Sequence, residues 1–300
     1  MKITSRIISI FTSLVCIVNL NAQNESGIDS TGLPGDNFSL QGALQLFQNA
    51  SSPEDFEKQL NTESNHVNNL DLNGDGDIDY IRVVDKMEKD IHVFILQVPV
   101  SETENQDIAV IELEKTGDTT AILQIIGDED IYGEQVIVEP NGGEEDESDD
   151  NKGNGPNVNY EYKNYRVIVN VWSWSPVRFV NRPLYKPWVS PWRWNAYSGW
   201  WKPWRPLSWH VWHPFHLRHH HSFVVVNTLR VVHAHRIYTP FRTTSLAVRS
   251  RHSVAVGNYR VTRTKTTVTG RRGNTYTKKT TTVTGRNGSV KGRKTAIRKH

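Results

Sequence analysis

An α+β fold is predicted for residues 37–140, and two observations in the sequence predict it. Apolar residues at Leu40, Ala43, Leu44 and Phe47 recur at helical spacing. Farther along, short runs rich in Val and Ile alternate with turn residues, which favours an antiparallel meander over helices. These runs are 80–84, 91–98, 108–113, 121–126 and 135–138. We expect two short helices and an antiparallel sheet of about five strands, followed by an irregular or β-rich, partly disordered basic region.

The second helix is predicted to begin directly after Ser52. The serine hydroxyl is suited to cap the free N–H groups of a first helical turn. Pro53 follows at the first helical position, where a missing N–H loses no hydrogen bond. The sequence therefore places two short helices before the first strand.

Charge divides the chain into two halves of opposite sign. Residues 23–150 carry 31 acidic and 5 basic side chains, net −26, whereas residues 151–300 carry 28 basic and 1 acidic side chain, net +27. Only 37% of the residues are hydrophobic, which argues against one large core. We expect four regions: an acidic α+β domain at 37–140, an acidic and Gly-rich linker at 141–157, a Trp/Pro/His-rich basic region at 158–259 and a basic tail at 260–300.

The first residues have the pattern of a secretory signal peptide. Lys2 and Arg6 precede an apolar run at 7–20, which is too short for a transmembrane helix. We expect cleavage near Ala22, with an uncleaved anchor as the alternative, and a flexible leader at 23–36. The location would be the periplasm, the outer surface or the extracellular space. Cys16, the single cysteine, lies in this run, so a mature chain would have no disulfide and no Cys-based zinc site.

Residues 71–79 have the spacing of a calcium-binding loop. Oxygen-bearing side chains occupy alternate positions, so every second side chain is able to point inward at one ion, and Ca²⁺ takes 6–8 oxygen ligands. Gly76 stands where a sharp turn needs a residue without Cβ. The candidate ligands are Asp71, Asn73, Asp75, Asp77 and Asp79.

The loop resembles the calcium loops of EF-hands and dockerin modules over its first nine positions. Arg82 stands where an EF-hand places a bidentate Glu, and a strand is predicted where an EF-hand has its second helix. The pattern is closer to the FG-GAP type of loop. That resemblance implies side-chain ligands at four of the positions and a backbone carbonyl ligand at Asp77. The implied affinity is weak, about 10⁻⁴–10⁻³ M, and the alternative is a turn without metal.

Residues 37–140 also resemble a family of secreted bacterial proteins of unknown function. The segments at 96–104, Leu-Gln-Val-Pro-Val-Ser-Glu-Thr-Glu, and at 125–134, Ile-Ile-Gly-Asp-Glu-Asp-Ile-Tyr-Gly-Glu, carry this resemblance. It implies no activity.

All ten Trp residues lie between Trp172 and Trp212, with Pro every few residues. Helix is not expected there, because Pro interrupts it, whereas strands are expected at 158–171 and 223–237. The segments at 185–188, 191–194 and 200–206 resemble in composition the Trp/Pro-rich cationic peptides that bind membranes and lipopolysaccharide. Trp and Arg together favour anionic polysaccharide, lipopolysaccharide or a membrane surface as partner. The alternative is that the indoles pack as a core against the strands expected at 158–171 and 223–237.

Histidines recur every third residue in the same region. Imidazoles bind Zn²⁺, Cu²⁺ or Ni²⁺, and a three-residue period aligns side chains on a polyproline-like turn. A transition-metal site is the less favoured interpretation. The preferred one is that these histidines form a titratable polar surface. The residues are His210, His213, His216 and His219.

The tail from Arg260 to His300 is strongly basic and partly repetitive. It holds 13 Lys and Arg residues and no acid, so it is predicted to bind polyanions. The candidates are lipopolysaccharide, acidic exopolysaccharide and extracellular DNA, whereas the predicted signal peptide argues against intracellular nucleic acid as a partner. Residues 266–273 recur at 281–288, and their Thr-Val-Thr and Gly pattern predicts hairpins, with disorder of the isolated tail as the alternative.

The sequence contains no catalytic motif such as Gly-x-Ser-x-Gly or His-Glu-x-x-His. Acids and histidines also lie mostly in different halves, which disfavours a His–carboxylate dyad. We therefore expect no enzyme. The first hypothesis is a secreted calcium-binding envelope or surface protein whose basic half binds anionic glycan or lipid. The second is a structural protein that self-associates through its oppositely charged halves.

Overall fold

A six-stranded antiparallel sheet is the centre of the fold. The computed structural model describes residues 30–145, 165–269, 275–284 and 290–299. The strands follow the order β1-β2-β3-β4-β5-β8, all neighbours antiparallel. Their bounds are β1 Arg82–Glu88, β2 Ile91–Pro99, β3 Asn105–Gly117, β4 Thr120–Gly127 and β5 Val136–Pro140, with a two-residue pair, β6 Glu144–Glu145 and β7 Tyr165–Arg166, before β8 Phe223–Val226.

Seven α-helices lie in the described residues, and four of them come from the basic half. The two predicted N-terminal helices are confirmed: Ser39 and Ser52 each accept an N–H of the first helical turn. The helices are α1 Leu40–Asn49, α2 Pro53–Leu60, α3 Glu129–Tyr132, α4 Ser175–Val180, α5 Trp209–His216, α6 Val232–Tyr238 and α7 Leu246–Asn258. Short 3₁₀ helices lie at Pro34–Asn37, Glu63–Asn65 and Thr239–Phe241.

Both faces of the sheet are covered. Phe94 and Leu96 of β2 point to a large core that includes α1, α2 and α4, with Val177 of α4 fully buried in it. Val93 and Ile95 point to the opposite face, where α6 covers them. Because side chains alternate along a strand, a strand covered on both faces is apolar throughout. The larger core therefore crosses the predicted boundary between acidic domain and basic region.

The α+β class is confirmed, with one strand more than expected. All five predicted strands correspond to β1–β5, with ends shifted by a few residues. The sixth, β8, comes from the basic half and pairs with β5, with Val138 opposite Val225. The sheet therefore joins segments separated by more than eighty positions in the chain.

Two local predictions in the basic half are wrong. Helices α4 and α5 form where Pro was expected to prevent them, since Pro176 lies in the first turn of α4, where its missing N–H loses no bond. Pro214 lies inside α5, which ends two residues later. The strand predicted at 223–237 ends at Val226, and α6 follows. Glu114 of β3 accepts the N–H of Ala234 in the first turn of α6, a stabilising contact that no local pattern contains.

The basic tail contains the predicted antiparallel strands. They are β9 Arg260–Thr269, β10 Thr275–Thr284 and β11 Val290–Lys299, with β10 in the centre. The repeated Thr-Val-Thr segments lie in β9 and β10, which are neighbours. The predicted signal peptide at 1–22, the first half of the leader, most of the linker and the first part of the strand predicted at 158–171 lie outside the described residues. No helix of the described residues is long and apolar enough to cross a membrane.

Candidate functional site

The candidate calcium loop, residues 71–79, connects the helical layer to β1. The carboxylate of Asp71 accepts hydrogen bonds from the N–H groups of Gly74 at 2.7 Å, Asp75 at 3.1 Å and Gly76 at 3.0 Å. Gly74 and Gly76 have φ of 74° and 85°, a backbone conformation that residues with a Cβ rarely adopt. The chain therefore wraps around the Asp71 carboxylate.

The next ligand candidates continue the same pattern. Asn73 Oδ1 accepts the N–H of Asp75 at 2.8 Å, and Asp75 Oδ1 accepts the N–H of Asp77 at 2.8 Å. The Asn73 amide also donates to Asp75 Oδ2 at 2.8 Å. These bonds hold the alternate side chains on the inside of the turn.

Asp79 is the buried end of the loop. Only 5% of its surface is exposed, and one carboxylate oxygen accepts the N–H of Leu72. Burial, together with the negative charges of Asp71 and Asp75, raises the pKa of Asp79 to about 7. Ile78 is buried beside it, and its N–H donates to the carbonyl of Trp204 at 2.8 Å.

The donors fit calcium in type, because carboxylate, amide and carbonyl oxygens are its usual ligands. Asp71, Asp75 and Asp79 are close enough for their charges to act on one another. The Asp77 carboxylate instead contacts Arg205, with Oδ1 3.4 Å from Nε, which leaves its backbone carbonyl as the implied donor. Within the described residues, no three carboxylate, imidazole or thiol side chains are gathered so that they could hold a metal ion.

Two arginines of the basic half lie against the loop. Arg205 Nη1 donates to the carbonyl of Gly76 at 3.0 Å, and Arg251 Nη1 donates to the carbonyl of Leu72. A Cβ built at Gly76 would approach Arg205 to 2.8 Å, and one at Gly74 would approach Arg251 to 3.0 Å. The loop is thus a contact point between the two halves of the chain.

The histidine series does not have the arrangement that the sequence predicted. The polyproline-like turn is absent, because His210, His213 and His216 lie on helix α5 and His219 follows its end. Burial, and the neighbouring His220 and His213, lower the pKa of His216 to about 4. His216 is therefore neutral at physiological pH.

Most indoles pack against the acidic half. Trp212 is 1% exposed and donates from Nε1 to the carbonyl of Asp36 at 2.8 Å. Trp174 and Trp201 are also buried, and Trp200, at 46% exposed, is the one exposed indole of the ten. The indoles therefore pack mainly against the acidic half, whereas the packing alternative placed them against 158–171 and 223–237, as Trp174 does with Phe223.

An aromatic cleft lies where the basic half meets α2, and we call it the α2–α4 cleft. Its volume is about 390 Å³, within the range of roughly 300–1,000 Å³ of small-molecule sites. Three aromatic side chains, two cations and one carboxylate line it: Phe179, Tyr185, Trp188, Arg182, Lys186 and Glu54.

Buried carboxylates hold the aromatic side chains of the cleft. Glu57, 2% exposed, accepts the indole N–H of Trp188 at 3.2 Å and the hydroxyl of Ser190 at 2.8 Å. Asp85 accepts the hydroxyl of Tyr185 at 2.8 Å. Burial raises the pKa of Glu57, although its hydrogen bonds oppose that shift. Sequence reasoning missed this cleft because its two walls are more than a hundred positions apart in the chain.

The described residues contain three histidines paired with carboxylates, in spite of the segregation of these residue types along the chain. His92 lies 3.2 Å from Asp85, and this pair is buried. On α6, His233 lies 3.2 Å from Glu114 and His235 lies 2.8 Å from Glu112. The hydrogen bond to Glu112 raises the pKa of His235. No Ser, Thr or Cys side chain of the described residues is hydrogen-bonded to any of these three imidazoles.

Arginines of the basic half pair with carboxylates of the acidic half. Arg242 donates to both oxygens of Asp128, at 2.6 and 3.0 Å, and to Asp130 at 3.1 Å. Arg230 contacts Glu139 at 2.9 Å. The opposite charges of the two halves therefore meet within one chain.

Comparison with known proteins gives no relative from which a function could be transferred. No family model, no curated protein and no solved structure matches the chain. A proposal about function has to be based on the geometry of the loop, the cleft and the basic surface.

Proposed function

We propose that the protein is a secreted, non-enzymatic, calcium-binding protein of the cell envelope or surface whose basic half binds anionic glycan or lipid. The observation that carries this proposal is the set of exposed cations that remains after the two halves have paired. Within the described residues these side chains have no carboxylate partner. In the basic half they include Arg178, Arg182, Lys186, Arg193, Lys202, Arg218 and Arg236.

The acidic half acts as the support of the basic half in this proposal. Its carboxylates at Asp128, before α3, and Glu139, in β5, neutralise Arg242 and Arg230, while other cations remain exposed to solvent. An excess of one charge on a surface raises the local concentration of oppositely charged polymers. A polyanion would therefore meet the basic half first.

Calcium at residues 71–79 would have a structural role. The loop contacts Arg205 and Trp204 of the basic half, so its conformation affects both halves. A bound ion would offset the repulsion among Asp71, Asp75 and the buried Asp79. The expected result is a more stable chain rather than a new reactive centre.

A role without catalysis is supported by the surroundings of the histidine–carboxylate pairs. The His92–Asp85 pair is closed to solvent, with side chains 1% and 0% exposed. His235 and His233 are more accessible, but they contact carboxylates and have no hydroxyl or thiol partner among the described residues. A positioned nucleophile is what such a dyad needs for covalent catalysis.

The alternative, self-association through oppositely charged halves, has less support. The carboxylates that it would use between molecules already accept hydrogen bonds within the chain, as Asp128 does from Arg242. Light scattering without ligand tests it: a particle size that grows at low salt would favour assembly. A size that stays monomeric at every salt concentration would exclude it.

Retention on immobilised polymers tests the main proposal. The chain without residues 1–22 is applied to polygalacturonate, to neutral amylose and, by sedimentation, to phosphatidylglycerol vesicles. We expect retention on an anionic phase, release by about 1 M salt, where the Debye length is about 3 Å, and no retention on amylose. If the chain binds neither polygalacturonate nor the vesicles, the proposal is overturned.

A further inference from the structure

We propose that the α2–α4 cleft is a binding site for an acidic saccharide, a chain of sugar residues that carry carboxylates. This inference rests on the proposed function and narrows it to one site and one ligand class. Saccharide sites combine an aromatic surface with polar groups that bind hydroxyls and charges. The cleft provides both in a volume of about 390 Å³.

The cations of the cleft are free to bind a carboxylate. Arg182 lies over the ring of Phe179, with Cζ 4.7 Å from the centroid, so its planar guanidinium is held in place. Neither Arg182 nor Lys186 pairs with a carboxylate of the described residues, and both are exposed. Arginine binds carboxylates through two parallel hydrogen bonds. The two cations therefore supply the anion-binding part of the site.

The aromatic wall is preorganised. Tyr185 is held through its hydroxyl by Asp85, and Trp188 through its indole N–H by Glu57. The ring of Tyr185 also contacts Phe179, with centroids 5.8 Å apart at 77°. Because these rings are fixed before a ligand arrives, binding loses little side-chain entropy.

The rim of the cleft has an unusual backbone. Leu184 is 97% exposed and has φ of 63°. A non-glycine residue in this left-handed region is uncommon, and such strain is concentrated at ligand sites. The strained residue lies between Arg182 and Lys186, so this turn places the two cations on the lining of one cleft.

Glu54 distinguishes an acidic saccharide from a lipid surface. Its exposed carboxylate lines the same cleft and has no ion-pair partner among the described residues. A sugar chain offers hydroxyl groups that can donate hydrogen bonds to this carboxylate. Glu54 would repel the phosphates of a membrane surface as it would the carboxylates of a saccharide, but a saccharide has more hydroxyl groups per charge with which to compensate. The mixture of one acid and two cations therefore favours a polyhydroxylated anion.

The test is calorimetric titration of tetragalacturonate into the chain without residues 1–22. We expect Arg182→Gln to weaken binding about tenfold or more, because hydrogen bonds to charged groups contribute at this level. Lys86→Gln is the control, since Lys86 also lies over a phenylalanine, with Nζ 5.0 Å from the Phe241 centroid, but outside the cleft and in the acidic half. This control should change affinity less than twofold.

Glu54→Gln supplies the second readout. This substitution should weaken the binding of tetragalacturonate. Maltotetraose, a saccharide of the same length without carboxylates, should bind neither to the variant nor to the unmodified chain. If Glu54→Gln sediments with phosphatidylglycerol vesicles more strongly than the unmodified chain does, and neither protein binds the saccharide, the inference is overturned in favour of lipid. Equal losses in Arg182→Gln and Lys86→Gln would also overturn it.

The outcomes separate this inference from the broader proposal. If Arg182→Gln with Lys186→Gln is still retained on polygalacturonate like the unmodified chain, the proposed function stands and the cleft is not its site. If the unmodified chain binds no anionic phase, both fail.

Discussion

Glu57 Oε2 accepts the indole N–H of Trp188 at 3.2 Å, across 131 positions of the chain. Its Oε1 accepts the hydroxyls of Tyr80 and Ser190, each at 2.8 Å, and Oε2 also accepts the N–H of Val83 at 2.8 Å. One buried carboxylate thus joins helix α2, the first strand and the aromatic segment of the basic half.

Replacing Glu57 with Ala should destabilise the chain by about 3–5 kcal/mol, because four buried donors would lose their acceptor. Glu57→Gln should have a smaller effect of about 1–2 kcal/mol, since its amide oxygen can still accept from two N–H groups while the hydroxyls of Tyr80 and Ser190 reorient. Urea unfolding measures both. Glu63→Ala, an exposed acid of the same half, should change stability by less than about 0.5 kcal/mol, and an equal loss there would contradict this role.

Arg242 is expected to be the most important single cation for joining the two halves. Its guanidinium binds Asp128, whose side chain is 2% exposed, through two hydrogen bonds. Arg242→Ala leaves that carboxylate buried without its partner and should cost about 2–4 kcal/mol. Arg242→Lys keeps the charge but loses the two parallel hydrogen bonds. Its loss of stability should therefore be smaller than that of Arg242→Ala. Arg236→Ala, which removes an exposed cation of α6, is the control, and similar losses in both would exclude a special role for Arg242.

Local sequence patterns predict the elements whose stabilising contacts are local. Helix α2 has its cap at Ser52, and the strands of the meander pair with their sequence neighbours. In contrast, β8 pairs with β5 across more than eighty positions, and α6 is stabilised at Ala234 by Glu114 of β3. Such contacts leave no periodic signal in either segment, so the strand pattern of residues 223–237 was misleading.

The same distinction applies to the candidate sites. Residues 71–79 could be singled out because all the candidate ligands lie in one short segment with a fixed spacing. The α2–α4 cleft could not, because Glu54 and Trp188 meet only in the folded chain. Composition also could not distinguish Glu57, which is buried, from Glu63, which is exposed.

Asp107 predicts a component of stability that decreases as the pH rises. Burial raises its pKa to about 6 from the usual 3.8, in spite of hydrogen bonds from Gln97, Tyr238 and Thr243. The folded chain therefore binds more protons than the unfolded chain between these two values. Stability from this group is complete below about pH 4 and is lost as the pH rises through about 6, by about 3 kcal/mol.

Urea unfolding of the unmodified chain and of Asp107→Asn between about pH 4 and pH 7 measures this component. The difference between them isolates Asp107 from the other buried acids. The unmodified chain should lose stability relative to Asp107→Asn as the pH rises. Asp118→Asn, at an exposed turn, should follow the unmodified chain throughout. A constant difference between the unmodified chain and Asp107→Asn would disprove the assignment.

Calcium should raise the melting temperature of the chain if residues 71–79 bind it. The measurement uses the chain without residues 1–22 rather than residues 37–140 alone, because β8 and Val177 complete the sheet and the core. At a calcium concentration ten times the dissociation constant, binding adds about 1.4 kcal/mol. For a chain of this size that corresponds to about 3 °C relative to EDTA.

Asp75→Asn separates ion binding from loop stability. Asp75 is exposed, and an Asn amide oxygen can still accept the N–H of Asp77, so in EDTA the loop should lose only the exposed hydrogen bond from the Asn73 amide. The Asp75→Asn substitution removes one negative charge from the candidate site. Calcium should therefore raise the melting temperature of this variant by less than about 1 °C. Asp118→Asn, which removes a turn carboxylate outside the loop, should keep the full increase. If calcium has no effect on the unmodified chain, the loop acts as a turn held by its own Asp71 hydrogen bonds and by Arg205.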